Sequence, residues 1–219
     1  MTLPEQGCSL REKKFVKTKV SLMQEFMKRL KSTRFSEISI KEVCETVEVS
    51  ESTFYNYFPQ KVDVVCYFKN FINVRISWEV ARRNRGPWQT IKDIFEMVAV
   101  EMQPPYLFYE MIAIFTSEQR RPEVISLSSL EKEYAYPDCE GIGSVESEDI
   151  ETMLSSLIKK AQVCGEIGGD TDGRQVLCAL MSILIGIPLA IHIGDFKNIN
   201  RFYQSQLSLL EKAIGAKQP

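Results

Sequence analysis

At 219 residues, 44% of them hydrophobic, the chain is long enough to bury a real core and too apolar to stay disordered, whether as one large domain or two small ones. Its net charge of -2 argues against a general polyanion binder, but the charge is uneven: residues 1–70 hold 12 Lys and Arg against 9 Asp and Glu, and the rest hold 15 against 20. A basic head on an acidic body suits local contact with nucleic acid without indiscriminate sticking.

The first predicted element is an amphipathic helix over residues 11–31. Phe15, Val16, Leu22, Met23, Phe26, Met27 and Leu30 recur at helical spacing, with Lys13, Lys14, Lys17 and Lys28 mostly between them. The stretch SIKEVCETVEVSESTFYNYFPQK follows. Ser39 stands three residues before Glu42, the pattern of a capping box, so a helix is expected to start there and run through Thr46. A turn falls near Glu48. Ser50 is placed to cap a second helix that ends before Pro59. Two short helices joined this way make a helix-turn-helix, whose second helix fits the major groove.

Not every side chain of that second helix can face one partner. Phe54 and Phe58, four apart, are assigned inward, leaving Ser52, Thr53, Tyr55, Asn56 and Tyr57 for the groove and its walls. Asn pairs with an adenine edge, Thr touches a thymine methyl, and Tyr and Ser hydroxyls bind phosphate. Ser39 and Ser50, at the two helix starts, complete this DNA-facing set. Lys61 opens the next helix, where the positive helix end favours a phosphate. For Tyr55 and Tyr57 the alternative is a ring packed on its own domain. Glu51 is expected to stabilise its helix rather than enter the groove, where it would face phosphate charge.

At Ser39, Val43, Val49-Ser50, Thr53-Phe54-Tyr55, Phe58 and Lys61, preceded by the 11–31 helix, the sequence resembles the DNA-binding domain of the tetracycline-repressor (TetR) family of transcription regulators. The resemblance covers roughly the first third of the chain. It implies the same division of the second helix, with Tyr55 and Lys61 on the DNA backbone. It also implies a helical body that takes up a small-molecule effector and dimerises. Two positions depart from the family pattern: Glu48 replaces a glycine before the second helix, and Arg34 replaces one after the first.

A long helix is expected over 62–83, stopped at Gly86-Pro87 after Arg82, Arg83 and Arg85. Helices over 88–103 and 106–119 come next, bounded by prolines and rich in aromatic and Met side chains. Such stripes line an apolar cavity or simply form core; the family implies a pocket, with candidate walls Trp78, Phe95, Met102, Tyr106, Tyr109 and Met111. A short helix is expected at 122–130, then a loop, EYAYPDCEGIGSVESED, and a helix over 148–164.

Residues 176–193, VLCALMSILIGIPLAIHI, are almost wholly apolar and reach the length of a membrane span. Ser182, Gly186, Pro188 and His192 interrupt the run and no basic cluster flanks it, so a span is rejected. A soluble helix apolar all round must be covered all round, and a second copy of the chain is the obvious cover, giving a four-helix interface in a twofold dimer. Leu154, Leu157, Ile158, Leu180, Ile183, Leu184, Gly186, Ile187 and Ile191 are the candidate interface residues. This matches the family, in which the segment resembling AQVCGEIGGDTDGRQVLCALMSILIGI joins the two dimerising helices. A last amphipathic helix is expected over 199–214.

Cys8, Cys44, Cys66, Cys139, Cys164 and Cys178 form no Cys-x-x-Cys pair and His192 is the sole histidine, so neither zinc spacing nor a histidine-based relay is available. The loop at Asp170 and Asp172 has Met181 where a calcium loop needs Glu, and GEIGGDTDG lacks a phosphate-loop Lys. No cofactor, metal or catalytic centre is expected. MTLPEQGCSLREKK has no signal-peptide pattern, so the expected compartment is the cytoplasm. The expectation is an all-α chain, residues 1–61 a helix-turn-helix domain and 62–219 an effector-binding and dimerisation domain. Its expected role is a homodimeric, ligand-responsive regulator, a repressor on a palindromic DNA operator. The alternative is a helical small-molecule-binding or interaction protein whose helix-turn-helix no longer touches DNA.

Overall fold

The computed structural model describes residues 9–101, 103, 105–117 and 126–215. Met102, the first part of the helix expected at 122–130 and the side chain of His192 lie outside the described residues. Among those residues the chain is all-α, with no strand. Its helices are α1 (Leu10–Leu30), α2 (Ile40–Thr46), α3 (Glu51–Tyr57), α4 (Lys61–Arg83), α5 (Pro87–Glu101), α6 (Pro105–Ser117), α7 (Ser129–Ala135), α8 (Ile150–Val163), α9 (Gly173–Asp195) and α10 (Ile199–Ala213).

Contacts divide the chain into two units, Met1–Phe71 with Thr116–Val145, and Ile72–Phe115 with Glu146–Pro219. The boundary therefore differs from the one expected after Lys61. Residues 62–71 and the α7 segment join the head because α7 buries an acid there.

In the first unit, α1 starts at a complete capping box: Ser9 Oγ accepts from the Glu12 N–H at 3.2 Å, and Glu12 accepts from the Ser9 N–H at 2.8 Å. The inward face of α1 is Val16, Val20, Leu22, Met23, Phe26, Met27 and Leu30. Phe15, two turns before Leu22 on the edge of that face, is 51% exposed. At α2 only half of the expected box forms. Ser39 Oγ accepts from the Glu42 N–H at 3.3 Å, but the Glu42 carboxylate goes to Arg29 at 2.6 Å. Arg29 also holds Glu25 and Thr46, and so pins α2 to α1.

The carboxylate of Glu131, on α7, collects four donors. Lys19 (2.9 Å) and Tyr67 (2.6 Å) reach one oxygen, and the Ser128 N–H and hydroxyl (2.8 Å each) reach the other. Lys19 also sits 4.2 Å from the centre of the buried Tyr67 ring. Burial pushes the Glu131 carboxyl up, but the bonds from Tyr67, Ser128 and Lys19 outweigh it and the net displacement is downward. The segment expected as a loop is held too, with Ile142 buried and Lys132 donating to the Val145 carbonyl at 2.7 Å.

In the second unit α5 packs on α8 and α10, and α9 on α8 and α10. Glu166 caps α5 by accepting the Trp88 N–H at 2.8 Å, and a Cβ at Gly86 would lie 2.6 Å from the same carboxylate. The long apolar helix starts before its apolar run because Asp172 accepts from the Arg174 N–H at 2.9 Å. Pro188 sits inside α9 and cannot donate to the Leu184 carbonyl one turn back. The hydroxyl of fully buried Tyr203, on α10, supplies that missing bond at 2.8 Å.

Candidate nucleic-acid interface

The turn before α3 is a Schellman motif: the Val49 N–H donates to the Cys44 carbonyl (3.0 Å) and the Glu48 N–H to the Glu45 carbonyl (3.2 Å). It requires a left-handed residue, and Glu48 takes that role at φ 59°. Ser50 then caps α3, accepting the Thr53 N–H at 3.2 Å, with the Ser52 and Thr53 hydroxyls 2.7 and 2.9 Å away.

Phe54 and Phe58 point inward as expected, at 0% and 1% exposure. Their rings, 5.5 Å apart, continue through Tyr67 and Phe71 of α4, so the back of α3 is sealed by aromatic contact. That sealing leaves Glu51, Ser52, Tyr55 and Asn56 exposed and Thr53 half-buried.

The remaining expected DNA-facing residues are more engaged. Ser39 is half-buried and spends its oxygen capping α2. Tyr57 is half-buried with its ring edge-on to Phe15 at 4.7 Å, packed on its own domain. Burial pushes the Tyr57 hydroxyl up, and a hydrogen bond with Thr18 pulls it back. Lys61 lies over the Phe35 ring and donates to the Phe35 carbonyl; burial draws its ammonium below the usual lysine range. Two of its N–H donors stay available for a phosphate. Sequence reasoning missed Phe15 and Thr18 as buttresses of Tyr57. The signal for Phe15 is its phase, seven and eleven residues before the buried Leu22 and Phe26. The contact seats the N-terminal half of α1, which carries the exposed cations Arg11, Lys13, Lys14 and Lys17, against α3.

The effector-pocket candidates sit in different surroundings. Phe95 is core, packed 5.2 Å from Tyr203, and Met111 is buried. The Trp78 ring lies 5.0 Å from the guanidinium of Arg75 and 4.6 Å from that of Arg82. Tyr106 is half-buried, and Tyr109 donates its hydroxyl to the Pro188 carbonyl at 2.5 Å. A recess of about 160 Å³ between α4 and α5 is lined by Arg75, Ile76, Glu79, Arg83, Glu96, Met97, Val100 and Glu101.

The interface candidates split. Leu154, Leu157, Ile158, Leu180 and Leu184 are buried within the chain's own core, because α8 and α9 turn these residues toward each other and toward α5 and α10. Ile183, Gly186, Ile187 and Ile191 are half-exposed. On α8 and α9 the exposed large apolar side chains among the described residues are Ile185 (37% exposed), Leu189 (47%) and Val163 (88%), which the spacing of the sequence did not single out. Over Gly173–Ile191 the mean hydropathy is 1.9 with only 22% of the window buried.

No protein-family model matches the sequence, and no curated protein matches it. Solved structures do match along nearly the whole chain. One, from Rhodococcus sp. and described as a TetR-family transcriptional regulator, superposes with a TM-score of 0.62 at 12% identity, over 90% of this chain and 98% of that one. GusR of Salmonella enterica gives 0.61 at 16% identity, over 91% and 96%. A protein from Shewanella sp. PV-4, also described as a TetR-family regulator, gives 0.53 at 14% identity, over 92% and 99%. The chain has the fold of the TetR-family regulators. Of the two departures from the TetR pattern, Arg34 sits at φ -61° and needs no glycine, while Glu48 takes the left-handed conformation itself.

Proposed function

We propose that this protein is a homodimeric DNA-binding transcriptional regulator, a repressor that binds a palindromic operator and is released by a small molecule taken up in its helical body. The observation that carries the reading is α3: a helix whose aromatic back is sealed and whose exposed side holds Ser52, Tyr55 and Asn56, next to the cations of α1. Asn56 is assigned to an adenine edge, and Tyr55, Ser52 and the remaining donors of Lys61 to phosphates. Twofold pairing through the exposed face of α9, around Ile185 and Leu189, presents two copies of α3 about 34–36 Å apart, or a further turn wider. An effector acts by binding one spacing of the two helices more tightly than the other. The neighbours described as TetR-family regulators support this reading.

A second reading, a helical binding protein whose helix-turn-helix no longer meets DNA, draws on the exposed carboxylates Glu48 and Glu51 at the start of α3. A mobility-shift titration of the full-length protein with the duplex flanking its own gene separates the two. The proposal expects site-specific complexes that weaken as salt rises. Tyr55→Ala should weaken all of them, and Asn56→Ala should relax base preference. Failure to prefer any sequence favours the second reading.

A further inference from the structure

With only seven residues, α3 is too short to be stable by itself, so its angle is set by the side chains it leans on. Three of its end rings carry that seat. Phe54 packs on Phe58, 5.5 Å away, and Phe58 on Tyr67 of α4, 5.4 Å away. Tyr57 lies against Phe15 of α1 and bonds Thr18 one turn further on. Both supports lead to one carboxylate outside the helix-turn-helix. The hydroxyl of fully buried Tyr67 donates to Glu131 at 2.6 Å, and Lys19, the neighbour of Thr18, donates to the same oxygen at 2.9 Å. The other Glu131 oxygen is held by the Ser128 N–H and hydroxyl at the start of α7, so the acceptor itself is fixed.

Covering Phe54 and Phe58 requires only apolar contact, which is non-directional and survives small shifts of the helix. Hydrogen bonds to base edges weaken steeply with distance and angle, so a helix that reads them needs supports whose rotamers are themselves locked. Two donors from different helices, converging on one fixed oxygen, supply that direction: one pins the ring behind α3 and the other pins the helix beside it. We propose that Glu131 is a positioning residue for DNA recognition, holding α3 in place from two sides, through Tyr67 and the rings behind it and through Lys19 and α1. This rests on the DNA-binding reading given above, and it extends the DNA-reading apparatus from residues 1–61 to α7.

The test compares affinity for the duplex that full-length wild type enriches from a random-sequence library with affinity for a mixed-sequence duplex. Because Glu131→Ala strands two buried partners at once, the variants are Tyr67→Phe and Lys19→Met, each of which cuts one tie and keeps the carboxylate. Tyr203→Phe, which deletes a buried tyrosine hydroxyl in the other unit, is the control. All are measured at a temperature where thermal unfolding shows them folded. Tyr67→Phe and Lys19→Met should each lower the ratio of specific to mixed-sequence affinity by about two- to thirtyfold. Tyr67→Phe should leave mixed-sequence binding as it is, since no charge has changed. Tyr203→Phe should keep the wild-type ratio. An unchanged ratio in both head variants, or an equal fall in Tyr203→Phe, would overturn the assignment, the second by showing that the loss follows stability alone. Wild type enriching no sequence would instead overturn the DNA-binding reading beneath it.

Discussion

The contact between Tyr203 and the Leu184 carbonyl gives a number that can be worked through. Pro188 removes the N–H that would have bonded that carbonyl, and the Tyr203 hydroxyl replaces it at 2.8 Å with the tyrosine fully buried. Tyr203→Phe keeps the ring and its contact with Phe95, and deletes only the donor. A buried carbonyl left without a partner costs about 1–3 kcal/mol, so the variant should be destabilised by that much. Pro188→Ala restores a backbone N–H one turn below Leu184, and in that background the tyrosine hydroxyl becomes largely redundant. The same Tyr203→Phe change should then cost roughly 0.5 kcal/mol or less, a coupling on the order of 1 kcal/mol or more. Urea unfolding of the four proteins of this cycle measures it. Additivity within about 0.5 kcal/mol would refute the claim that the hydroxyl stands in for the missing proline N–H.

The Schellman turns after α2 and α8 make a matched pair, closed by Glu48 at φ 59° and by Gly165 at φ 72°. Glu48→Gly should raise stability by about 0.5–1 kcal/mol and Gly165→Ala should lower it by about 1–2 kcal/mol, both read from thermal unfolding. Glu131→Ala strands Lys19 and Tyr67 and should cost about 3–5 kcal/mol. Because the folded Glu131 carboxyl lies below its unfolded value, its contribution is whole above about pH 5 and fades as pH falls through the folded pKa. Wild-type stability followed downward from pH 6 should therefore drop more steeply than that of Glu131→Ala. On the α9 face, Leu189→Glu should leave the monomer folded, since Leu189 is 47% exposed. By symmetry it should weaken association about a hundredfold or more, at about 1.5–3 kcal/mol per chain. An unchanged sedimentation profile would remove that face from the interface.

Much of the head could be read from local pattern. Ser39 and Ser50 cap where their spacing to the first helical turns says they should, and Phe54 and Phe58 face inward because two residues four apart share one side of a helix. Local pattern does not show which donor wins a carboxylate. Glu42 has capping-box spacing but is taken by Arg29, thirteen positions back in the chain. Tyr57, placed on the groove side, is drawn down by Phe15, whose partner no spacing rule names. An aromatic or Met stripe says only that a side chain seeks cover: Phe95 finds it against Tyr203, while Trp78 lies against Arg75 and Arg82.

By itself the sequence determined those features that depend on neighbours three or four residues apart: an all-helical chain, two short capped helices joined by a turn, and a long apolar helix. Tertiary structure alone decided which residues meet across long separations. It gave Glu131 to the head, Tyr203 to the carbonyl that Pro188 orphans, and the open side of α9 to Ile185 and Leu189. Helix periodicity fixes which residues share a face, but only the packing of other helices fixes which of those faces remain open.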